Sequence, residues 1–278
     1  HANFSEFLFP VRRFDCTREE SRKNTPAASL EAPSDGSLEE ILQREGDKVA
    51  AVIIEPVLQG AGGMILWPSE SLVEIRELCD RYGTLLIADE VFTGFGRTGR
   101  LFACEHGPIV PDIICLSKAL TAGYMPLAVT LSTAEIYNSF LSEDRGKTFF
   151  HGHSYTANAL ACAVALENLD ILEDENILGR ISRIEELFKE RVQKLESLPA
   201  VRSTRAIGSL AALDIEAGDS AEGGYLDAIG PRLYAEFLER DILLRPLGNV
   251  LYFLPPYVIS DEEIHRVFDA IEEVVGGL

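Results

Sequence analysis

Short apolar runs alternate with amphipathic segments along much of this chain. Four runs have the length and composition of strands: residues 50–55, 85–89, 112–116 and 127–131. Between the first two lies a helical pattern that Ser69 begins and Gly83 ends. The run at 50–55 is apolar almost throughout, which is typical of a strand buried on both faces of a sheet. Strands that alternate with helices predict an α/β fold with a largely parallel sheet.

The pattern changes in the second part of the chain. The expected elements are helices at 156–172, 177–198 and 225–240, a strand at 207–215, short strands around Leu243 and Tyr252, and a closing helix from Ser260. This mixture predicts a smaller α+β domain. We place the boundary near residue 172, so that residues 1–172 form the large domain and residues 173–278 the small one. Residues 1 to about 48 are polar and predict irregular structure.

Composition narrows the classes of partner. The chain has 278 residues and a net charge of −20, which argues against binding to nucleic acid or to anionic membranes. Its five cysteines are widely spaced and include no CxxC pair, which favours a reducing, cytoplasmic setting. No run approaches the length of a membrane span, no signal peptide is visible, and no His, Cys and Asp cluster has metal-ligand spacing. We therefore expect no metal.

Two polar residues end apolar runs at the same edge of the predicted sheet. Asp89 closes the run at 85–89, and Lys118 follows the run at 112–116. Ligands bind at the carboxyl ends of parallel strands, and an acid and an amine placed there suit pyridoxal phosphate (PLP). The amine would form a Schiff base with the cofactor, and the acid would hold the pyridine nitrogen protonated. Taken alone, Asp89 could instead cap a loop, and Lys118 could be a solvated lysine.

A glycine-rich loop follows Asp89, with the sequence Thr93-Gly94-Phe95-Gly96-Arg97-Thr98-Gly99. Its glycines permit close approach of the backbone to a ligand. A phosphate-binding loop and an ordinary turn would have the same appearance in sequence.

Four motifs together carry a resemblance to a known family: Ile54-Glu55-Pro56, the run 86–91, the loop 93–99 and Ser117-Lys118-Ala119-Leu120. In this order they resemble the class III PLP-dependent aminotransferases. The resemblance implies the PLP-dependent transferase fold of type I, with a largely parallel large domain and a smaller α+β C-terminal domain. It also implies transaminase activity and PLP as the cofactor.

The resemblance assigns roles around the cofactor. Lys118 would be the Schiff-base lysine and would shuttle protons, and Asp89 would pair with the pyridine nitrogen. Val91 would pack on the face of the ring. Glu55 would lie beside the cofactor, near the substrate.

Further residues would complete the site from other parts of the chain. By resemblance, Ser154 reaches the cofactor phosphate of a neighbouring subunit, which implies a homodimer with shared active sites. Gly152 and His153 would shape the entrance, and Tyr252 would lie near the substrate. Arg245 would hold the substrate carboxylate, to which its planar fork is suited. The alternatives are a surface arginine at 245 and a helix N-cap at Ser154.

Three stretches, at 59–64, 150–158 and 245–257, resemble one subgroup of the family, the transaminases of biotin biosynthesis. In that subgroup S-adenosylmethionine or lysine supplies the amine. Another ω-aminotransferase, acting on ornithine or 4-aminobutyrate, and a non-catalytic homologue are the alternatives. The family's phosphate-binding turn and ring-stacking aromatic would lie upstream of His1. We therefore expect the chain to be a fragment, and we assign the function to the intact protein.

Overall fold

A computed structural model describes residues 10–15, 34–216 and 228–278. The strands are β1 (Ala51–Ile54), β2 (Leu58–Gln59), β3 (Ile65–Leu66), β4 (Leu85–Asp89), β5 (Ile113–Leu116), β6 (Val129–Ser132), β7 (Val201–Ile207), β8 (Leu210–Ile215) and β9 (Val250–Phe253). The helices are α1 (Leu38–Glu45), α2 (Glu70–Tyr82), α3 (Ala134–Phe140), α4 (Ala159–Asp174), α5 (Ile177–Leu195), α6 (Ile229–Leu238) and α7 (Asp261–Gly276). No described helix has the length and apolarity needed to cross a membrane.

The central sheet has four strands in the order β1-β4-β5-β6. Strands β1, β4 and β5 are parallel, which confirms the prediction of a largely parallel sheet, whereas β6 pairs with β5 in the antiparallel direction. In register, Ile54 lies opposite Ala88, and Asp89 lies opposite Cys115. The carboxyl ends of the three parallel strands therefore share one edge of the sheet.

Helix α2 covers one face of this sheet. Its residues Leu72, Ile75 and Cys79 pack with Val52 and Leu86 in one hydrophobic core. Gly83 ends the helix in the left-handed conformation, at φ 64°, as its sequence position predicts.

The expectation that β1 is buried on both faces is wrong for the described part of the chain, because Ile53 is 61% exposed. The helix covers the face that carries Val52 and Ile54, both of which are buried. Side chains alternate between faces along a strand, so Ile53 points to the opposite side. Within the described residues, nothing buries it there.

The expectation of irregular structure up to residue 48 is wrong where α1 lies, at Leu38–Glu45, whereas residues 1–9 and 16–33 lie outside the described chain. Its N-terminus carries a reciprocal capping box, in which Ser37 Oγ accepts from Glu40 N–H and Glu40 Oε2 accepts from Ser37 N–H. Leu38 and Leu42 are buried against the core of α2. The Ser-x-x-Glu spacing was the signal for this helix.

The C-terminal part consists of the antiparallel sheet β7-β8-β9 packed with α5, α6 and α7 around one core. A single strand at 207–215 was expected, but the chain forms two strands that turn at Gly208, which has φ 50°. A side chain there would collide with the backbone of Arg97 and Gly99, so glycine is required. Residues near Leu243 form no strand in the described chain, and Leu247 makes only an isolated bridge to Val250.

Helix boundaries differ from expectation at several ends. Helix α4 begins at Ala159 instead of 156, because Asn158 Oδ1 accepts from the N–H groups of Leu160 and Ala161. Asn158, and not Ser154, is therefore the N-cap of this helix. Helix α5 ends at Leu195, three residues before its expected end. The helix expected at 225–240 spans Ile229–Leu238, and residues 225–227 lie outside the described chain.

The two parts of the chain share a core. Leu210, Ala212 and Val250 of the C-terminal sheet pack into the cluster that holds Trp67 and α2. The division at residue 172 stays a prediction.

Candidate active site

Three polar side chains meet at the carboxyl edge of the parallel strands. Glu55 follows β1, Asp89 ends β4, and Lys118 stands two residues after β5. Because neighbouring parallel strands carry them, the three groups lie at one edge of the sheet, and the charges of Asp89 and Lys118 both act on Glu55. The structure thus brings together three residues that were selected from widely separated motifs.

Asp89 is half-buried and carries one hydrogen bond among the described residues. Its Oδ1 accepts from Val91 N–H at 3.1 Å. The other carboxylate oxygen, Oδ2, has no hydrogen-bond donor within the described chain. A carboxylate held on one side and open on the other can accept from a cationic N–H group.

The backbone around Lys118 is fixed from both directions. Lys118 begins a short 3-10 helix, Lys118–Thr121, and has a left-handed φ of 45°. Before it, Ser117 Oγ donates to Leu127 O at 2.7 Å. After it, the amide of Asn168 on α4 donates to Ala119 O at 2.9 Å and to Leu120 O at 3.2 Å. A non-glycine residue with positive φ persists only where its surroundings hold it.

The amine of Lys118 lies over an aromatic ring. Its Nζ is 4.9 Å from the centroid of the Phe92 ring, which is within cation–π range. The side chain is otherwise exposed within the described chain. The amine is therefore positioned yet accessible to a ligand.

Glu55 is fixed at both its backbone and its carboxylate. The indole Nε1 of Trp67 donates to Glu55 O, and Gly60 N–H donates to Glu55 Oε2, both at 3.1 Å. Burial raises the pKa of Glu55, and the nearby Asp89 carboxylate raises it further, whereas the Gly60 hydrogen bond and Lys118 oppose the rise. The site thus contains a carboxyl group that accepts a proton more readily than an ordinary glutamate.

Glu90, the neighbour of Asp89, has a different role. It is fully buried, and its carboxylate accepts from Thr93 Oγ1 at 2.6 Å and from the N–H groups of Ala103 and Cys104 at 2.9 and 2.8 Å. It therefore ties the start of the glycine-rich loop to the segment that follows the loop.

The glycine-rich loop is an ordinary turn in its hydrogen bonding. The N–H groups of Gly94, Gly96 and Gly99 donate to the carbonyl groups of Glu90, Leu101 and Gly96. Because these N–H groups already have protein acceptors, the loop does not offer them to a phosphate. Of the two interpretations left open by the sequence, the structure supports the turn.

The same loop is anchored to the C-terminal sheet through Arg97. Its Nη1 donates to Ser209 Oγ at 2.8 Å and to Pro255 O at 3.4 Å, and its guanidinium lies 4.9 Å from the ring centroid of Tyr257. Tyr257 in turn donates to Phe95 O at 3.0 Å. Burial lowers the pKa of Arg97 and raises that of Tyr257.

The remaining predicted residues lie apart from this cluster. Gly152, His153 and Ser154 are exposed in an irregular segment before α4, and no hydrogen bond or ion pair joins them to Asp89 or Lys118 in the described chain. Arg245 is exposed and has no hydrogen bond or ion pair with a described residue.

Tyr252 lies on β9 opposite Ala212 and packs against the core that holds Trp67. Like Arg245 and the segment at 152–154, it makes no described hydrogen bond to the three charged residues of the sheet edge. Its assignment to the substrate site is therefore a proposal, as are the assignments of the other residues named for the site.

Sequence reasoning missed several residues that support the cluster. Phe92 and Trp67 contact Lys118 and Glu55 directly, and Asn168 holds the backbone after Lys118. Asn168 gave a usable signal, because with Glu167 and Asp170 it is one of only three polar residues in the apolar run 159–172. Phe92 and Trp67 have the appearance of core residues in sequence.

Comparison with known proteins relates this chain and its fold to the aminotransferases. The sequence profile of the family "Aminotransferase class-III" matches residues 1–275. The adenosylmethionine-8-amino-7-oxononanoate aminotransferase of Geobacter sulfurreducens is 43% identical over 99% of this chain and 62% of its own length. The protein of the same name from Synechococcus elongatus is 46% identical over 82% of this chain and 52% of its own length.

Solved structures of aminotransferases are also similar to this chain. The adenosylmethionine-8-amino-7-oxononanoate aminotransferase of Methanocaldococcus jannaschii has a TM-score of 0.78 at 35% identity, covering 86% of this chain and 56% of that one. A Bacillus anthracis aminotransferase has a TM-score of 0.82 at 27% identity, and the match covers 96% of this chain and 61% of that one. The chain belongs to the class III aminotransferase family. It spans less than two thirds of the length of these relatives.

Proposed function

We propose that the intact protein is a PLP-dependent aminotransferase. The observation that carries the proposal is the convergence of Glu55, Asp89 and Lys118 at the carboxyl edge of β1, β4 and β5. The expected cofactor chemistry needs an acid for the pyridine nitrogen and an amine for the aldehyde. A PLP-bound amine transaminase from an uncultivated Pseudomonas species, 35% identical with a TM-score of 0.78, supports the choice of cofactor.

The residues present fit PLP. Asp89 Oδ2 is open to a protonated ring nitrogen, while its Oδ1 is held by Val91 N–H. Val91, next to this bond, would pack on the ring, and the amine of Lys118 is exposed. When bound, PLP supplies an electron-withdrawing ring that stabilises negative charge on the substrate carbon.

The chain's own residues then position and move protons. Asp89 would hold the ring nitrogen protonated, because a carboxylate favours the cationic form of its partner. Lys118 Nζ takes and returns the proton at the substrate carbon as general base and acid. Glu55, whose pKa is raised, accepts a hydrogen bond or a proton beside them.

We propose that the substrate is 8-amino-7-oxononanoate and that the product is 7,8-diaminononanoate, a step of biotin biosynthesis. The support is the name shared by the relatives from Geobacter sulfurreducens and Synechococcus elongatus, together with the stretches 59–64, 150–158 and 245–257. S-adenosylmethionine or lysine would donate the amine. Arg245 would bind the substrate carboxylate, since its guanidinium is exposed and unpaired within the described residues.

We also propose a homodimer in which Ser154 serves the partner's site. The support is an unusual run of exposed apolar side chains at 124–160, where Tyr124 is 83% and Phe150 is 80% exposed. Monomeric proteins rarely leave such residues clustered in water. We refer to residues 124–160 as the exposed segment.

A cytoplasmic location is proposed from the cysteines. The four in the described chain are free. Burial raises the pKa of Cys79 to about 11 and that of Cys104 to about 12, so both thiols resist ionisation and exchange.

Incubation of the intact protein with PLP, S-adenosylmethionine or lysine, and 8-amino-7-oxononanoate tests the assignment. We expect 7,8-diaminononanoate by mass spectrometry, and borohydride should trap a covalent PLP adduct on Lys118. Adduct without this product, but with turnover of ornithine or 4-aminobutyrate, would replace the substrate and keep the class. Absence of both adduct and product would refute the proposal.

A further inference from the structure

A buried ion pair lies at the junction of the two parts of the described chain. Arg205 on β7 and Asp214 on β8 each expose about 4% of their side chains. Arg205 Nη1 donates to Asp214 Oδ2 at 2.9 Å, and Nη2 donates to Asp214 Oδ1 at 3.0 Å. Ser203 Oγ also donates to the same carboxylate. This bidentate arrangement fixes the plane of the guanidinium.

The rest of the guanidinium holds a turn of the N-terminal part. Arg205 Nε donates to Met64 O at 2.5 Å, and Nη2 donates to Gly63 O at 2.6 Å. Nη1 also donates to Ser203 Oγ at 3.3 Å. With this bond, every N–H group of the Arg205 guanidinium has an acceptor. The residue therefore satisfies two carbonyl groups more than 140 positions away in sequence.

The turn that Arg205 holds needs such support. It connects β2 to β3, and Gly63 and Met64 have φ values of 116° and 56°. A left-handed conformation at methionine is unfavourable by about 1 kcal/mol, so contacts outside the turn must maintain it. The carbonyl groups of Gly63 and Met64, the two residues with positive φ, are the ones that accept from Arg205.

The other end of the same turn contacts the candidate site. Gly60 N–H donates to Glu55 Oε2, and the N–H groups of Gly63 and Met64 donate back to Gly60 O at 3.1 and 3.0 Å. Gly60 also lies against Phe92, where a Cβ would come within 2.9 Å of the ring. Phe92 is the ring beneath the Lys118 amine.

We propose that Arg205 is a positioning residue for this site: it holds the turn 59–64 so that Gly60 N–H keeps the Glu55 carboxylate in place beside Asp89 and Lys118. The catalytic consequence of this positioning rests on the proposed function. Its structural content, the control of Glu55 by Arg205, stands independently. The C-terminal sheet thereby sets the geometry and proton affinity of a group on the central sheet.

The test uses the intact protein with Arg205→Lys. Lysine can keep the charge pair with Asp214, but a single ammonium cannot also reproduce the planar fork that bonds both carbonyl groups. The control is Arg202→Met, on the same strand, because Arg202 pairs with Glu216 at an exposed position. That pair has no described contact with the turn.

Two measurements apply to both variants. Hydrogen–deuterium exchange should be about 10- to 100-fold faster at residues 58–67 in Arg205→Lys, with α7 unchanged, because two hydrogen bonds to the turn are lost. Carboxyl NMR of Glu55, assigned with Glu55→Gln, should show a higher pKa, since the Gly60 hydrogen bond is the larger of the two interactions that lower it. Arg202→Met should change neither.

Exchange at 58–67 equal to that of the unaltered protein, or acceleration spread evenly over the fold, would overturn the proposal. If Arg205→Lys does not fold, Arg205→Met combined with Asp214→Leu removes both buried charges together and permits the same comparison. Both readouts remain measurable if the protein does not transaminate. Failure of the inference is therefore distinguishable from failure of the proposed function.

Discussion

The sheet edge and the exposed segment differ in how their residues are held. At the sheet edge, Glu55, Asp89 and the backbone around Lys118 each have partners within the described chain. In the exposed segment, Phe150 and Ser154 are exposed, and Ser154 has no described hydrogen bond. Both regions were assigned to one site, yet only the first is assembled by the described residues.

Under the proposed dimer, this difference matches two different roles in the site. A proton-transfer group must be held to a fraction of an ångström, so rigid strands and buried hydrogen bonds surround it. A residue that serves a neighbouring subunit needs no support until the subunits meet. The experiments below perturb one region at a time, beginning with the largest expected effect.

Replacement of the amine at the sheet edge should be the most damaging change. We expect Lys118→Ala to lower kcat by at least about 10⁴-fold, because it removes both the covalent anchor and the general base. The mass of the assembly in sedimentation should be unchanged, since Lys118 lies outside the exposed segment. Retained turnover would show that another group moves the proton.

Loss of the buried carboxylate next to Asp89 should primarily reduce stability. Glu90→Ala leaves two N–H groups and one hydroxyl group without their acceptor, which we expect to lower the free energy of unfolding by about 3 kcal/mol. The control is Glu105→Ala, which removes an exposed carboxylate from Ala103–His106, the short 3-10 helix whose first N–H groups donate to Glu90. Denaturant titration that finds equal losses for both variants would contradict the capping role of Glu90.

The exposed segment can be tested for association. A charge at a central apolar contact of an interface typically weakens binding by 2 kcal/mol or more, which is about 30-fold in Kd. We expect this effect from Phe150→Asp in concentration-dependent sedimentation. The control, Val258→Asp, alters a side chain that is 73% exposed in the C-terminal part, and it should leave association unchanged.

If both variants or neither shifted the association, the segment would not be the dimer interface. In the expected case, activity of Phe150→Asp should recover as the protein concentration rises, whereas that of Lys118→Ala should not. This contrast separates a group that performs chemistry from a surface that completes the site.

The contrast between the regions also explains what could be read from sequence. The alternation of apolar runs with helical segments fixes the sheet, and the carboxyl-end rule places Asp89 and Lys118 on one edge. The direction of β6 and the turn at Gly208 were missed, because strand direction and hairpin register depend on pairing between distant segments. The same dependence explains why Arg205 was missed, since its acceptors, Gly63 and Met64, are remote in sequence.

The smallest effect concerns the proton on Glu55. Its pKa is raised in the folded protein, so its contribution to stability is complete below the ordinary glutamate pKa of about 4.3 and is lost as the pH rises through the folded value. Glu55→Gln keeps an acceptor for Gly60 N–H but does not titrate. Between pH 4 and 7 the unaltered protein should therefore lose stability relative to this variant, by less than about 1 kcal/mol because the carboxylate is partly solvated.

Glu77→Gln removes a carboxylate from an exposed position on α2 and serves as the control. If urea titrations give the two variants the same pH dependence, burial at the sheet edge does not govern Glu55.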